Sequence, residues 1–131
     1  MNKLILSAGI LSVLTLFAHV FGGGPEIHIP VLESDFSLEL KASLSVVWHA
    51  VTAVLIINSV ALFLAAKSKG TEKMLVVFVS SQYLAFAALF IFYGITHLGT
   101  LLLMPQWSVF LLMPALALAG LRPRKTERVE K

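Results

Sequence analysis

The sequence predicts an all-α integral membrane protein, a four-transmembrane-helix bundle with both termini in the cytoplasm. Its composition is the first reason, because 58% of the 131 residues are hydrophobic and only 13% are charged. A soluble domain carries about 25% charged residues, and the mean hydropathy here is +0.91. The apolar residues also lie in long blocks, so too few polar side chains remain to cover a water-facing surface.

The lengths of the apolar blocks predict the number of spans. Residues 4–20 are nearly free of polar side chains, and residues 42–66 and 74–121 contain no Asp, Glu, Lys or Arg. A bilayer core takes about 20 helical residues to cross, so the first two blocks form one span each. The third block would make a helix of about 72 Å. It must fold back on itself and form two spans.

We therefore predict one membrane domain over residues 1–131. Its spans are expected near residues 4–21, 42–66, 74–97 and 101–121, with an outer loop at 22–41, a cytoplasmic loop at 67–73 and a basic tail at 122–131. The turn between the last two spans has two possible positions, at 94–100 or at 104–106. Within the outer loop, Ser34 is expected to be the N-cap of a short interfacial helix. The first block also resembles a signal peptide cleaved after Gly22, although it lacks an A-x-A-like site.

The distribution of charge predicts the orientation. Lys and Arg stay on the cytoplasmic side of short loops, and nine of the ten fall on one side of the four-span arrangement, with only Lys41 on the other. We therefore expect the protein in a bacterial-type plasma membrane, with both termini in the cytoplasm. This orientation accounts for the basic tail, so we predict no nucleic-acid partner. The expected partners are the lipid bilayer and either further copies of the chain or a larger membrane complex.

The four histidines all fall in the predicted outer half of the bundle: His19, His28, His49 and His97. Helix geometry places His19 and His49 at about the same height, roughly 24–27 Å above the inner boundary. Ionisable groups in a membrane segment are costly unless they are paired, and they are functional candidates for that reason. Three glycines at 22–24 and then Pro25 predict a sharp reversal of the chain. That reversal would bring Glu26 and His28 back towards the other histidines.

These side chains predict a metal site. Imidazole and carboxylate groups suit zinc or copper, and the chain has no cysteine to supply thiolates. The expected ligands are drawn from His19, His28, His49, His97 and Glu26. The corresponding function is metal handling or metal-dependent chemistry, with no catalytic residue identified. No HExxH motif fixes two ligands on one helical turn.

Two alternatives stay open. The first is a haem b electron-transfer subunit in which His49 and His97 are the axial ligands. The second is a non-catalytic accessory subunit whose histidines only form hydrogen bonds within the bundle. Polar residues within the spans, at 58–59 and 80–83, are expected to join helices by hydrogen bonds or to line a substrate or quinone pocket. Trp48, Trp107 and Tyr93 fit an outer aromatic belt, and Trp48 can also form a wall of the histidine site.

Overall fold

The chain is helical along most of its length. The computed structural model describes residues 1–68 and 72–122. The α-helices are α1 (Lys3–Phe17), α2 (Ile29–Glu33), α3 (Leu38–Lys67), α4 (Glu72–Leu98) and α5 (Gln106–Ala119), and a π-helical segment (Ala18–His28) joins α1 to α2. Lys69 of the predicted cytoplasmic loop and the basic tail beyond Arg122 lie outside the described residues.

Three of the helical stretches are long and apolar enough to cross a membrane. They are Lys3–Glu33, Leu38–Lys67 and Glu72–Leu98, with 31, 30 and 27 residues. The fourth, α5, has only 14 residues, which corresponds to about 21 Å. The all-helical fold with three long apolar helices and a shorter fourth confirms that part of the prediction.

The helices pack through small and apolar side chains. Helix α1 lies against α3 and α5, and α4 lies against α5 and α3. The most deeply buried apolar side chains come from α1, α3, α4 and α5: Ile5, Ala8, Leu55, Leu62, Val76, Val79, Tyr83 and Met113. Most other large apolar side chains are exposed, as expected where lipid is the surrounding solvent.

Asn2 joins the N-terminus of α1 to the C-terminal ends of α3 and α5. Its Oδ1 caps α1 by accepting from the backbone N–H groups of Leu4 and Ile5, at 3.2 and 3.3 Å. Its Nδ2 donates to the carbonyl oxygen of Gly120 at 2.6 Å. Its backbone N–H donates to the carbonyl oxygen of Ala66 at 2.8 Å. The first residues of the chain are thereby tied to the last turns of α3 and α5.

The predicted reversal at residues 22–25 is wrong. The backbone stays helical through these residues, with the wide hydrogen bonding of a π-helix, as in the bond from the Ile29 N–H to the Gly24 carbonyl oxygen. Glycine permits a reversed conformation without requiring it, and a helix pairs backbone groups that would otherwise be left without partners away from water. Only Pro25 withholds an N–H group there. Residues 22–33 of the predicted outer loop are therefore helical.

The N-terminus of the second long helix also differs from the prediction. Ser34 ends α2, and Ser37 is the N-cap of α3, where its Oγ accepts from the Leu40 N–H at 3.3 Å. Glu39, in the first turn, supplies the acid that favours a helix N-terminus. The non-helical part of the predicted outer loop is thus only the short link at 34–37.

The turn between α4 and α5 occupies residues 99–105 and overlaps both predicted positions. Helix α4 continues through Gly94 to Leu98. Gly99 then has a φ of 65°, which residues other than glycine rarely adopt. The loop folds back over Gly94, so that a Cβ there would lie 3.0 Å from Leu101 Cδ2. Gly94 and Gly99 together make this tight return possible.

Candidate functional site

Three side-chain hydrogen bonds, the cross-helix bonds, join the first long helix to α3. They pair Ser12 with Ser59 (2.7 Å), His19 with Thr52 (3.1 Å) and His28 with Ser45 (3.1 Å). The first and second bonds are seven residues apart on each helix. The second and third bonds are nine residues apart on the π-helical segment but only seven residues apart on α3. A π-helix holds more residues in each turn than the 3.6 of an α-helix, so the extra two residues keep His28 facing α3.

The second cross-helix bond determines which ring nitrogen of His19 carries the proton. The Thr52 hydroxyl gives its own proton to the Trp48 carbonyl oxygen at 3.1 Å. Thr52 Oγ1 is therefore the acceptor for His19, and the His19 Nε2–H is the donor, at 3.1 Å. The same N–H lies 3.4 Å from the Trp48 carbonyl oxygen. The tautomer that follows carries its lone pair on Nδ1.

The Ser45 hydroxyl determines the tautomer of His28 in a similar way. The Ser45 hydroxyl donates to the Lys41 carbonyl oxygen at 2.8 Å. Ser45 Oγ must then accept from the Nε2–H of His28, at 3.1 Å. His28 also keeps its lone pair on Nδ1. Both imidazoles are thus oriented from one side by a hydroxyl group of α3.

Trp48 lies between these two histidines. Its ring centroid is 4.0 Å from that of His19 and 5.3 Å from that of His28, with interplanar angles of 20° and 4°. Gly23 lies four residues after His19 and five before His28, and the indole occupies the space where a Cβ of Gly23 would be. The missing side chain therefore makes room for the indole between the two imidazoles.

His49 extends this group on the exposed side. Its ring is edge-on to that of His28, with centroids 5.4 Å apart and an interplanar angle of 83°. His19, His28 and Trp48 are half-buried, whereas His49 is exposed. We call these four residues the Trp48 cluster. It contains three of the five predicted ligands.

The other two predicted ligands lie elsewhere. Glu26 is exposed on the π-helical segment, since the chain continues as a helix instead of folding back. His97 is exposed at the end of α4, where its Nδ1 is 2.7 Å from Thr96 Oγ1 and its ring centroid is 4.9 Å from that of Tyr93. Within residues 1–68 and 72–122, no group of three or more His, Cys, Asp or Glu side chains is arranged to hold a metal ion. The metal and haem hypotheses stay predictions.

The polar residues deeper in the helices join three of them. Ser12 Oγ lies 2.5 Å from the Tyr83 hydroxyl and 2.7 Å from Ser59 Oγ, so that α1 bridges α4 and α3. The expectation of hydrogen bonds between helices is confirmed for Ser59 and Tyr83. Ser81 differs, because it is exposed and donates to the Phe78 carbonyl oxygen of its own helix.

Sequence reasoning missed the hydroxyl partners of the histidines, although a signal for them was present. Ser45, Thr52 and Ser59 are spaced by seven residues, which places them on one face of α3. Ser12 and His19 have the same spacing on α1. Two polar stripes with matching spacing predict antiparallel helices that face each other through these residues.

No family model, curated protein or solved structure matches this chain.

Proposed function

We propose that the chain is a four-span protein of a bacterial-type plasma membrane, with both termini in the cytoplasm, and that it binds a copper or zinc ion at its outer end. In this proposal, His28 and His49 supply the protein ligands. The three long apolar helices support the membrane location. The distribution of Lys and Arg, nine of which fall on one side, supports the orientation.

The observation that carries the metal proposal is the spacing of the two rings. With metal–nitrogen bonds of about 2.0–2.1 Å and a tetrahedral angle, two imidazoles on one ion have centroids about 5.2 Å apart. The centroids of His28 and His49 are 5.4 Å apart. The two rings therefore need little translation to share an ion.

The hydrogen bond to Ser45 supports the same proposal. Histidines that bind metals almost always donate their other ring N–H to an oxygen, which fixes the tautomer and the ring orientation. His28 donates its Nε2–H to Ser45 and keeps the Nδ1 lone pair for a ligand. A neutral imidazole in this state is ready to bind a metal.

The height of the pair in the bilayer suits an ion that arrives from water. His49 and Ser45 precede Lys67 by 18 and 22 residues, which places them about 27 and 33 Å from the inner end of α3. A hydrocarbon core is about 30 Å thick. In the proposed orientation, the pair therefore lies at the outer boundary between lipid and water.

The number of protein ligands indicates what the site does. Two imidazoles leave at least two positions of a tetrahedral ion for water or an exchanging ligand, whereas structural zinc sites are closed by four protein ligands. Nitrogen ligands of this kind suit both zinc and copper. We therefore propose metal handling, in which an ion is taken up and passed on, as the role of the pair.

The test is the metal content of the detergent-purified protein, grown with added copper or zinc and purified without chelators. The unmodified protein is expected to retain close to one ion per chain. His28→Ala and His49→Ala should lose it. His97→Ala is the matched control, because His97 is an equally exposed histidine outside the cluster, and it should retain the ion. Absence of metal from the unmodified protein, or an equal loss in all three variants, would overturn the proposal.

A second candidate is a non-catalytic subunit of a larger membrane complex. It is favoured by the contacts of His19, whose Nε2–H is used in bonds to α3 and whose ring is stacked on Trp48. On this proposal the histidines only join the helices by hydrogen bonds and ring stacking, and they bind no ion. Absence of metal from every sample, together with easier unfolding of His19→Ala than of the unmodified protein, is the result that would select it.

A further inference from the structure

Gln82 places an amide group near the middle of α4. It lies ten residues after Glu72, the first residue of the helix, or about 15 Å along the helix axis. That distance is half of a hydrocarbon core of about 30 Å. The side chain is half-buried, so part of it is accessible from outside the bundle. Among the residues that the structure describes, none forms a hydrogen bond with this amide.

An amide at this depth is costly unless it is paired. Lipid acyl chains have no polar atoms, and polar side chains in membrane helices therefore form hydrogen bonds with neighbouring helices. The adjacent exposed residue, Ser81, already gives its hydroxyl proton to the Phe78 carbonyl oxygen of its own helix, at 2.7 Å. Gln82 has no comparable bond. Its amide is therefore a group that a second helix, packed against the surface of α4, can complete.

Gln82 belongs to a regular stripe of residues on α4, the α4 stripe. Its members follow one another at spacings of four and three residues: Phe78, Gln82, Ala85, Leu89 and Phe92. Such alternating spacings place the side chains along one side of a helix, and two helices with this pattern pack as a left-handed pair. The four apolar members are exposed. The α4 stripe is therefore available to a second helix.

We propose that two copies of the chain pair through the α4 stripe, with the two helices parallel and related by a two-fold axis. Copies with the same topology hold Gln82 at the same depth, and the axis brings it opposite itself. An amide both donates and accepts, so each Gln82 gives an N–H to the side-chain oxygen of the other. Ala85, one turn away, is small and lets the helices approach closely. A single polar residue in such a stripe also fixes the register of the pair.

Other occupants fit the α4 stripe less well. A lipid places only its acyl chains at this depth, since its polar groups lie at the boundary, about 15 Å away. Water is absent from the centre of the bilayer. A helix of a different protein would need its own polar residue at the same depth, whereas a second copy supplies one by symmetry. The occupant that matches the Gln82 amide is therefore another Gln82.

Cysteine cross-linking tests the interface, because the chain has no cysteine of its own. Ala85→Cys places a thiol in the α4 stripe, and Ala53→Cys places one at an exposed position of α3. The two positions are matched in depth, since Ala85 follows Glu72 by 13 residues and Ala53 precedes Lys67 by 14. Iodine, which dissolves in lipid, oxidises adjacent thiols to disulfides. In vesicles with a large excess of lipid, we expect a covalent dimer from Ala85→Cys and little from Ala53→Cys. Equal yields, or no dimer from Ala85→Cys, would overturn the proposal.

Energy transfer between labelled copies measures the part played by Gln82. The full chain, labelled at Glu26→Cys with a donor or an acceptor dye, is diluted with lipid in phosphatidylcholine vesicles to give the dissociation constant of the dimer. Gln82→Leu removes both reciprocal bonds and should weaken pairing by about 3-fold for each bond, or about 8-fold in total. Gln82→Asn keeps an amide and is the matched control, which should pair almost as the unmodified protein does. Unmodified protein that stays monomeric, or unchanged pairing of Gln82→Leu, would refute this interface.

Discussion

The Trp48 indole lies so close to Gly23 that a Cβ on Gly23 would be only 2.9 Å from Trp48 Cη2. We therefore expect Gly23→Ala to push the indole out of its stack and to destabilise the protein by about 1–3 kcal/mol, as other overpacked sites do. Fluorescence of Trp48 in a Trp107→Phe background, followed through unfolding, measures both effects.

The two neighbouring glycines are matched controls for this variant. A Cβ at Gly22 or Gly24 would meet no atom within 4 Å. Their replacement by alanine should leave the Trp48 emission unchanged and should be neutral or stabilising, since it lowers the entropy of the unfolded chain. Equal effects at all three positions would show that the wide helix itself, and not the indole, requires glycine.

Ser45→Ala is expected to weaken metal binding without removing a ligand. Ser45 accepts the His28 Nε2–H and so holds the imidazole in the tautomer that presents Nδ1. Loss of such a supporting hydrogen bond typically lowers metal affinity by about 10–100-fold. Competition with a chromophoric chelator gives the affinity. Ser43→Ala, at an exposed position of the same helix, should bind as the unmodified protein does.

Ser59 gives its hydroxyl proton to the Leu55 carbonyl oxygen at 2.7 Å, so Ser12 donates to Ser59 and Tyr83 donates to Ser12. This direction predicts an order of stabilities. Tyr83→Phe removes only the first donor and should destabilise the protein by about 0.6 kcal/mol, the average for such bonds between membrane helices, and by at most about 1.7 kcal/mol. Ser12→Ala breaks both bonds and leaves the buried Tyr83 hydroxyl without its acceptor, so we expect a larger loss. Denaturation in mixed micelles ranks the two. A milder effect of Ser12→Ala would contradict the assigned direction.

The proposed orientation can be tested by cysteine labelling, because the chain has no cysteine of its own. A cysteine at Glu26 should react with a membrane-impermeant maleimide added to intact cells. A cysteine at Lys73 should react only after the membrane is broken. Both positions are exposed in the folded chain. The reverse pattern would place the Trp48 cluster on the cytoplasmic side and refute the topology.

The sequence predicted the helices well because long apolar blocks leave few alternatives. The ends of the helices were less predictable, since local signals competed there. The glycines and Pro25 indicated a turn. The chain instead forms a π-helix, whose two extra residues keep the backbone hydrogen-bonded and bring His28 to Ser45. Ser34 and Ser37 are equally good N-caps by residue type, and it is the Ser37 hydroxyl that accepts from the Leu40 N–H at the start of α3.

For the candidate site, composition indicated which residues are unusual but not where their rings face. His19, His28 and His49 were expected together; the rings of His19 and His28 lie against Trp48, and the ring of His49 lies against His28. Glu26 was expected with them only because a reversal was assumed. His97 depended on the path of the last turn, where Gly99 ends α4 before the chain returns. Side-chain direction at a helix end follows from such backbone details, which spacing alone does not determine.

The tie between Asn2 and Gly120 has a consequence for biosynthesis. It joins residues separated by 118 positions, so the ribosome must translate α5 before the bond can form. The contacts of α1 with α3 are available much earlier, and they include the bond from the Asn2 N–H to the Ala66 carbonyl oxygen. Helices α1 and α3 can thus pair while translation continues, and α5 packs beside α1 last.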